Sequence, residues 1–213
     1  MSAPLHAAIA AITVLLSLLA VGSFGWGVAR HFAGRQRMPP GMRLLSGASF
    51  AAWLLFAGLI LTTAPPDPWA AVAGWVLFLG ATLLFWRTVA ATRGRPPHLA
   101  YSDAPPDVVF SHGPYAHVRH PFYLSYILFW TGTAVVLPRI GWAPVALGMA
   151  AWYVMIARGE ERRFASSALS SAYRAYRART GMLLLLPRPR FLWRPVPPDA
   201  SSRNSFRGGG RWS

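Results

Sequence analysis

The sequence predicts an all-α, polytopic membrane protein with about five transmembrane helices and a C-terminal amphipathic helix lying on the membrane surface. Three observations carry that prediction. Of 213 residues, 54% are hydrophobic and only 13% are charged, about half the charged share of a soluble domain. The apolar residues gather in runs long enough to cross a hydrocarbon core of about 30 Å. The formal charge of +15 is carried by arginine without any lysine, in short segments between those runs, where it orients spans and meets anionic headgroups. That placement argues against nucleic acid as the partner of the positive charge. The chain has no cysteine, which excludes disulfides, thiolate metal sites and cysteine nucleophiles. Arginine without lysine, together with abundant Ala, Pro and Gly, fits a GC-rich bacterial genome.

The first span runs from about Leu5 to Ala29 and lacks the positive n-region of a cleaved signal peptide, so it counts as a helix. Arg30, Arg35, Arg37 and Arg43 follow, with Pro39-Pro40-Gly41 breaking the chain. Gly22, Gly25 and Gly27 lie inside the first span and read as helix packing rather than a phosphate loop. The second span covers about Leu44 to Ala64 and stops at Pro65-Pro66-Asp67-Pro68. The third covers about Trp69 to Ala91, where Arg87 can snorkel to the interface. A fourth span, about Pro121 to Leu137, starts with a proline suited to a first helical turn. Pro138-Arg139 turns the chain into a fifth, about Ile140 to Ala157. Beyond Arg158, Phe164, Ala168, Ala172, Tyr173 and Tyr176 recur at helical spacing, which predicts the surface helix. From Pro187 onward the chain is rich in Pro, Arg, Gly and Ser, a composition that predicts disorder.

This divides the chain into three N-terminal helices (1–92), a core of loop, hairpin and amphipathic helix (93–186), and a basic tail (187–213). Arginine asymmetry places the N-terminus outside and the C-terminus in the cytoplasm of a bacterial inner membrane. Gly113–Tyr123 and the surface helix then share the cytoplasmic side.

Gly113–Tyr123 is where the chemistry concentrates, with His117, Arg119, His120, Tyr115 and Tyr123 at the brink of a span. His112, His117 and His120 lack the helical spacing of a zinc site, and no serine is placed for a triad. His112 and His117 read singly as interfacial loop residues. The only two glutamates are Glu160 and Glu161. Arg158, Arg162 and Arg163 could screen them on a solvated face. Alternatively, the short turn between the fourth and fifth spans brings Glu160 beside Pro121, and one carboxylate faces inward.

Gly113-Pro114-Tyr115, Arg119-His120-Pro121-x-Tyr123, the hairpin, Glu160-Glu161 and Tyr173-x-x-Tyr176 before Pro187 together resemble the isoprenylcysteine carboxyl methyltransferase family. Phospholipid methyltransferases share that C-terminal plan. The resemblance covers about Pro106 to Pro187. It implies S-adenosylmethionine bound in a cytoplasm-facing pocket and a lipidic or small hydrophobic acceptor arriving from the bilayer. Carried over by position, it implies cofactor contacts at Asp107, Val108, Val109, Phe110, Tyr115, Arg119, His120, Pro121, Phe122, Tyr123 and Glu160. Arg158 and Glu161 would face the acceptor, and no metal is implied. The chain departs from the family pattern at Ser125, at Ser170-Ser171-Ala172 and at Ile156. Carboxylate, amine and thiol acceptors all remain open, as does a non-catalytic membrane protein that uses its basic tail and surface helix for binding.

Overall fold

The computed structural model describes residues 3–32, 38–63, 66–102, 104–138 and 141–184. Arg35, Arg37, Arg139 and the basic tail lie outside the described residues. The described residues form six α-helices: α1 (Ala3–Trp26), α2 (Pro40–Thr62), α3 (Pro68–Thr92), α4 (Pro121–Val136), α5 (Ala143–Ala165) and α6 (Ser170–Arg177). Among the described residues there is no strand, only one isolated bridge between Val118 and Gly181.

Among the described residues, three stretches are long and apolar enough to cross a membrane: Ala3–His31, Pro40–Thr62 and Pro68–Thr92. α4 is apolar but only 16 residues long, and α5 ends in a charged segment. The outer faces expose Leu15, Leu54, Leu61, Val76, Leu83 and Leu147. A bundle that turns large aliphatic side chains outward this regularly is built for a lipid surround.

Two expectations about helix limits change. Pro40 does not break the chain; it sits at the first turn of α2, where its missing N–H is no loss. The segment after Arg158 is not the start of a separate surface helix. α5 continues to Ala165 and stops at Ser166-Ser167, whose hydroxyls bond to the carbonyls of Arg162, Arg163 and Phe164. Serines that satisfy local backbone groups in this way compete with helix continuation. Only the eight residues of α6 form a distinct amphipathic helix.

The packing depends on small residues and tryptophan. α3 crosses α4 at Gly74 and Gly132, where a Cβ on Gly74 would lie 2.0 Å from Val136 and one on Gly132 would lie 2.8 Å from the Phe78 ring. Such small-residue crossings let backbones approach when no water drives helices together. α1 is held from both sides by indole donors. Trp75 donates to Thr13 Oγ1 at 2.9 Å, Trp53 to Ser17 Oγ at 3.1 Å, and Trp86 to Ser23 Oγ at 3.0 Å. α1 then closes with a π-helical turn, Gly27–His31, pinned to α3 by a 2.8 Å contact between His31 Nε2 and Thr92 Oγ1. Of the three glycines read as packing residues, Gly27 packs against Phe85, while Gly22 and Gly25 have nothing within reach of a Cβ.

Candidate functional site

Because α4 and α5 pack as neighbours across a short turn, the first turn of α4 meets the last turns of α5. Tyr123 donates its hydroxyl to Glu160 Oε1. His120 stands at the N-terminus of α4 but does not cap it. Its Nδ1 lies 3.5 Å from Glu160 Oε2 and its Nε2 lies 3.4 Å from Glu161 Oε1. The Nε2 contact is electrostatic only, leaving that buried nitrogen without a formed hydrogen bond. Burial opposes a charged imidazole, but the two carboxylates outweigh it and hold the His120 pKa above its ordinary value. Its ring stacks on Tyr123 at 5.6 Å.

The adjacent glutamates divide the work. Glu161 accepts from Arg119 Nε at 2.8 Å, with both side chains less than a tenth exposed. Burial would raise the Glu161 carboxyl, yet the His120 imidazole beside it and the hydrogen-bonded Arg119 guanidinium reverse that and hold it at about 2. Arg119 also donates to the carbonyls of Thr180 and Arg177. Its backbone N–H bonds Gly181 O at 2.8 Å, and that of His120 bonds Met182 O at 3.2 Å. Arg119 is thus a staple joining the α4 entrance, α5 and the segment after α6.

The loop before α4 is fixed by Gly113, whose φ of +58° and crowding against Ala91 both demand glycine. The short turn it begins, Gly113–Ala116, buries Tyr115 against Phe110. Tyr176 of α6 donates to Tyr115 O at 2.6 Å. Tyr173 stacks on Phe164 at 4.4 Å, and its hydroxyl is buried without a partner among the described residues. Burial and the Glu161 charge raise the Tyr173 phenol pKa despite Arg119, so it remains a protonated donor.

Tyr115, Arg119, His120, Tyr123, Glu160 and Tyr173 line one end of a cavity of about 560 Å³, within the range of small-molecule sites at about 300–1,000 Å³. The other end is apolar. It runs past Phe122 and Tyr126 into a cleft between α1 and α2 walled by Leu18, Gly22, Gly25, Leu45 and Phe50. Open space at Gly22 and Gly25 makes that cleft.

The structure gathers Asp107, Val108, Val109, Phe110, Tyr115, Arg119, His120, Phe122, Tyr123 and Glu160 around this one cavity. Pro121 is buried but does not line it. Arg158 is exposed and off the cavity, and Glu161 is engaged by Arg119 and His120 rather than lining it. His112 and His117 are exposed; His112 contacts Ala91 O at 2.8 Å. Sequence reasoning missed Arg163, Phe164, Tyr126, Tyr153 and the α1–α2 walls as cavity residues. Glycines spaced three apart on α1 were the available signal for the cleft. No family model, curated protein or solved structure matches the chain, so the site is read from its own geometry.

Proposed function

We propose that this protein is an integral-membrane, S-adenosylmethionine-dependent methyltransferase acting on a lipidic or small hydrophobic acceptor. The observation that carries the proposal is a cavity with a carboxylate, imidazole and tyrosine cluster at one end and an apolar cleft at the other. The Arg119-His120-Pro121-x-Tyr123 and Glu160-Glu161 resemblance to isoprenylcysteine carboxyl methyltransferases points the same way. In this reading α4 and α5 are the fourth and fifth spans, and the polar end of the cavity opens toward the cytoplasm.

The residues present suit the cofactor. Tyr123, Tyr126 and Tyr153 crowd together, with ring centroids 5.0–6.3 Å apart, and aromatic faces attract a sulfonium cation. Glu160 offers an acceptor for ammonium or hydroxyl groups, and the Tyr173 hydroxyl, without a partner among the described residues, offers a donor. When bound, S-adenosylmethionine supplies an electrophilic methyl group that leaves sulfur as the acceptor's lone pair forms the new bond. Tyr123 and His120 fix the Glu160 carboxylate, while Phe122 and Tyr126 keep water from the apolar side. Such a transfer depends chiefly on alignment and desolvation.

Titration calorimetry of the detergent-purified protein with S-adenosylmethionine tests the proposal. Wild type binds, whereas Tyr123→Ala and Glu160→Ala lose about tenfold or more, the scale of a charge-assisted hydrogen bond. Absence of wild-type binding at millimolar cofactor sinks it. A labelled methyl donor given to membranes from overexpressing cells then identifies the acceptor. A rate rising through an amine's titration marks N-methylation, and a flat profile above about pH 6 marks a carboxylate.

A further inference from the structure

Among the described residues, six charged or imidazole side chains line the cavity: His98, Asp107, Arg119, His120, Glu160 and Arg163. Asp107 pairs with Arg95 at 2.9 Å and with His98 at 3.9 Å. Arg119 pairs with Glu161 at 2.8 Å, and His120 with Glu160 at 3.5 Å. Arg163 alone has no carboxylate partner among the described residues. Its one hydrogen bond there runs from Nη1 to the carbonyl of Ser102. A guanidinium carries five donors in a planar fork, so among the described residues this bond positions the group and leaves the other donors without a partner. Arg163 is half-buried, and a cation withdrawn from water favours an anion beside it.

Its placement is specific. Arg163 lies three residues beyond Glu160 on α5, hence on the same face. Phe164 beside it also lines the cavity. Arg163 additionally borders a smaller outer cleft with Tyr101, Trp152 and Arg162, where Trp152 donates to the Tyr101 hydroxyl at 2.7 Å. The guanidinium therefore stands between the interior cavity and the surface.

We propose that Arg163 is the anion-binding residue of this cavity, taking the carboxylate or phosphate group of its occupant in the free part of its guanidinium fork. Two sources offer that chemistry: the head of an amphiphilic acceptor whose chain enters the α1–α2 cleft, or the amino-acid end of the cofactor. The second source rests on the methyltransferase reading; the first rests on the cavity alone.

The test is calorimetry on the full chain in a neutral detergent, comparing wild type, Arg163→Gln and, as a charge control, Arg174→Gln on the exposed side of α6. One arm titrates dodecanoate, dodecyl phosphate and dodecanol at matched detergent mole fraction. The other compares S-adenosylhomocysteine with 5′-methylthioadenosine, which lacks the amino-acid carboxylate. Wild type prefers the anion in at least one arm. Arg163→Gln lowers that anion's affinity about tenfold or more, the scale of one charge-assisted contact, and leaves dodecanol and methylthioadenosine unchanged. A loss confined to the amphiphile arm assigns Arg163 to the acceptor head, and one confined to the nucleoside arm assigns it to the cofactor. Anion preference that survives in Arg163→Gln overturns the proposal, as does an equal loss in Arg174→Gln or a wild type with no anion preference. If wild type binds neither nucleoside, the methyltransferase reading falls while the amphiphile arm still decides Arg163.

Discussion

Replacing Glu161 with Gln removes the one negative charge that Arg119 and His120 share, and its consequence can be worked out with its sign. The Glu161 carboxyl is held at about 2 against an ordinary 4.5. That gap of 2.5, at about 1.36 kcal/mol per unit, sets an upper figure of about 3.4 kcal/mol. Arg177, on the outer side of the pair, is 62% exposed, and water there screens part of the interaction, leaving about 2 kcal/mol. Removing one partner of a buried pair costs about 3–5 kcal/mol in general, and here the bonds from Arg119 to Thr180 and Arg177 soften the loss. A depressed carboxyl stabilises the fold above its unfolded pKa of about 4.5 and loses that contribution as pH falls toward 2. His120, raised in the folded state, contributes fully below about pH 6.5 and loses its share as pH rises through its folded value. The cluster is therefore strongest between about pH 4.5 and 6.5. Thermal unfolding in detergent, followed by tryptophan fluorescence from about pH 3 to 8, reads both limbs. Glu161→Gln lowers Tm near pH 6 and flattens the acid limb. An unchanged Tm for Glu161→Gln, or a wild type whose stability holds as the pH falls to 3, refutes the reasoning.

Two further outcomes follow from the packing. Gly74→Val drives a methyl group into Val136, an overpacking of about 1–3 kcal/mol; detergent-extracted yield and Tm fall, whereas Gly80→Ala, which meets open space, leaves both unchanged. Trp53→Phe removes the bond to Ser17 and costs about 1 kcal/mol. Ser17→Ala removes the same bond, so in a double-mutant cycle the combined loss in Tm is smaller than the sum.

The membrane character was legible because apolar length and arginine placement are local properties of the chain. The meeting of Glu160 with Tyr123 and His120 was legible too, since a short turn between two helices forces their far ends together. The division of the glutamates was not. Whether Arg119 binds a ligand or Glu161 depends on where Thr180 and Gly181 return to the α4 entrance, a tertiary fact with no sequence period. The hydroxyls of Thr13, Ser17 and Ser23 gave little signal, because an isolated Ser or Thr in an apolar span satisfies itself on its own helix. Their role as indole acceptors needs α2 and α3 in place. Arg158 is exposed and lies outside the cavity wall although Glu161, three residues on, turns to the α4 entrance, so spacing along the helix did not reveal it.

The Trp53–Ser17 bond joins α1 to α2 directly beyond Leu18, the deepest α1 residue of the cleft. From Leu18 to Val28, α1 climbs about 15 Å at 1.5 Å per residue. Under the proposed reading, an acyl chain entering the cleft would meet the Trp53–Ser17 pin at that depth, so the position of this one bond would limit how much chain the cleft covers.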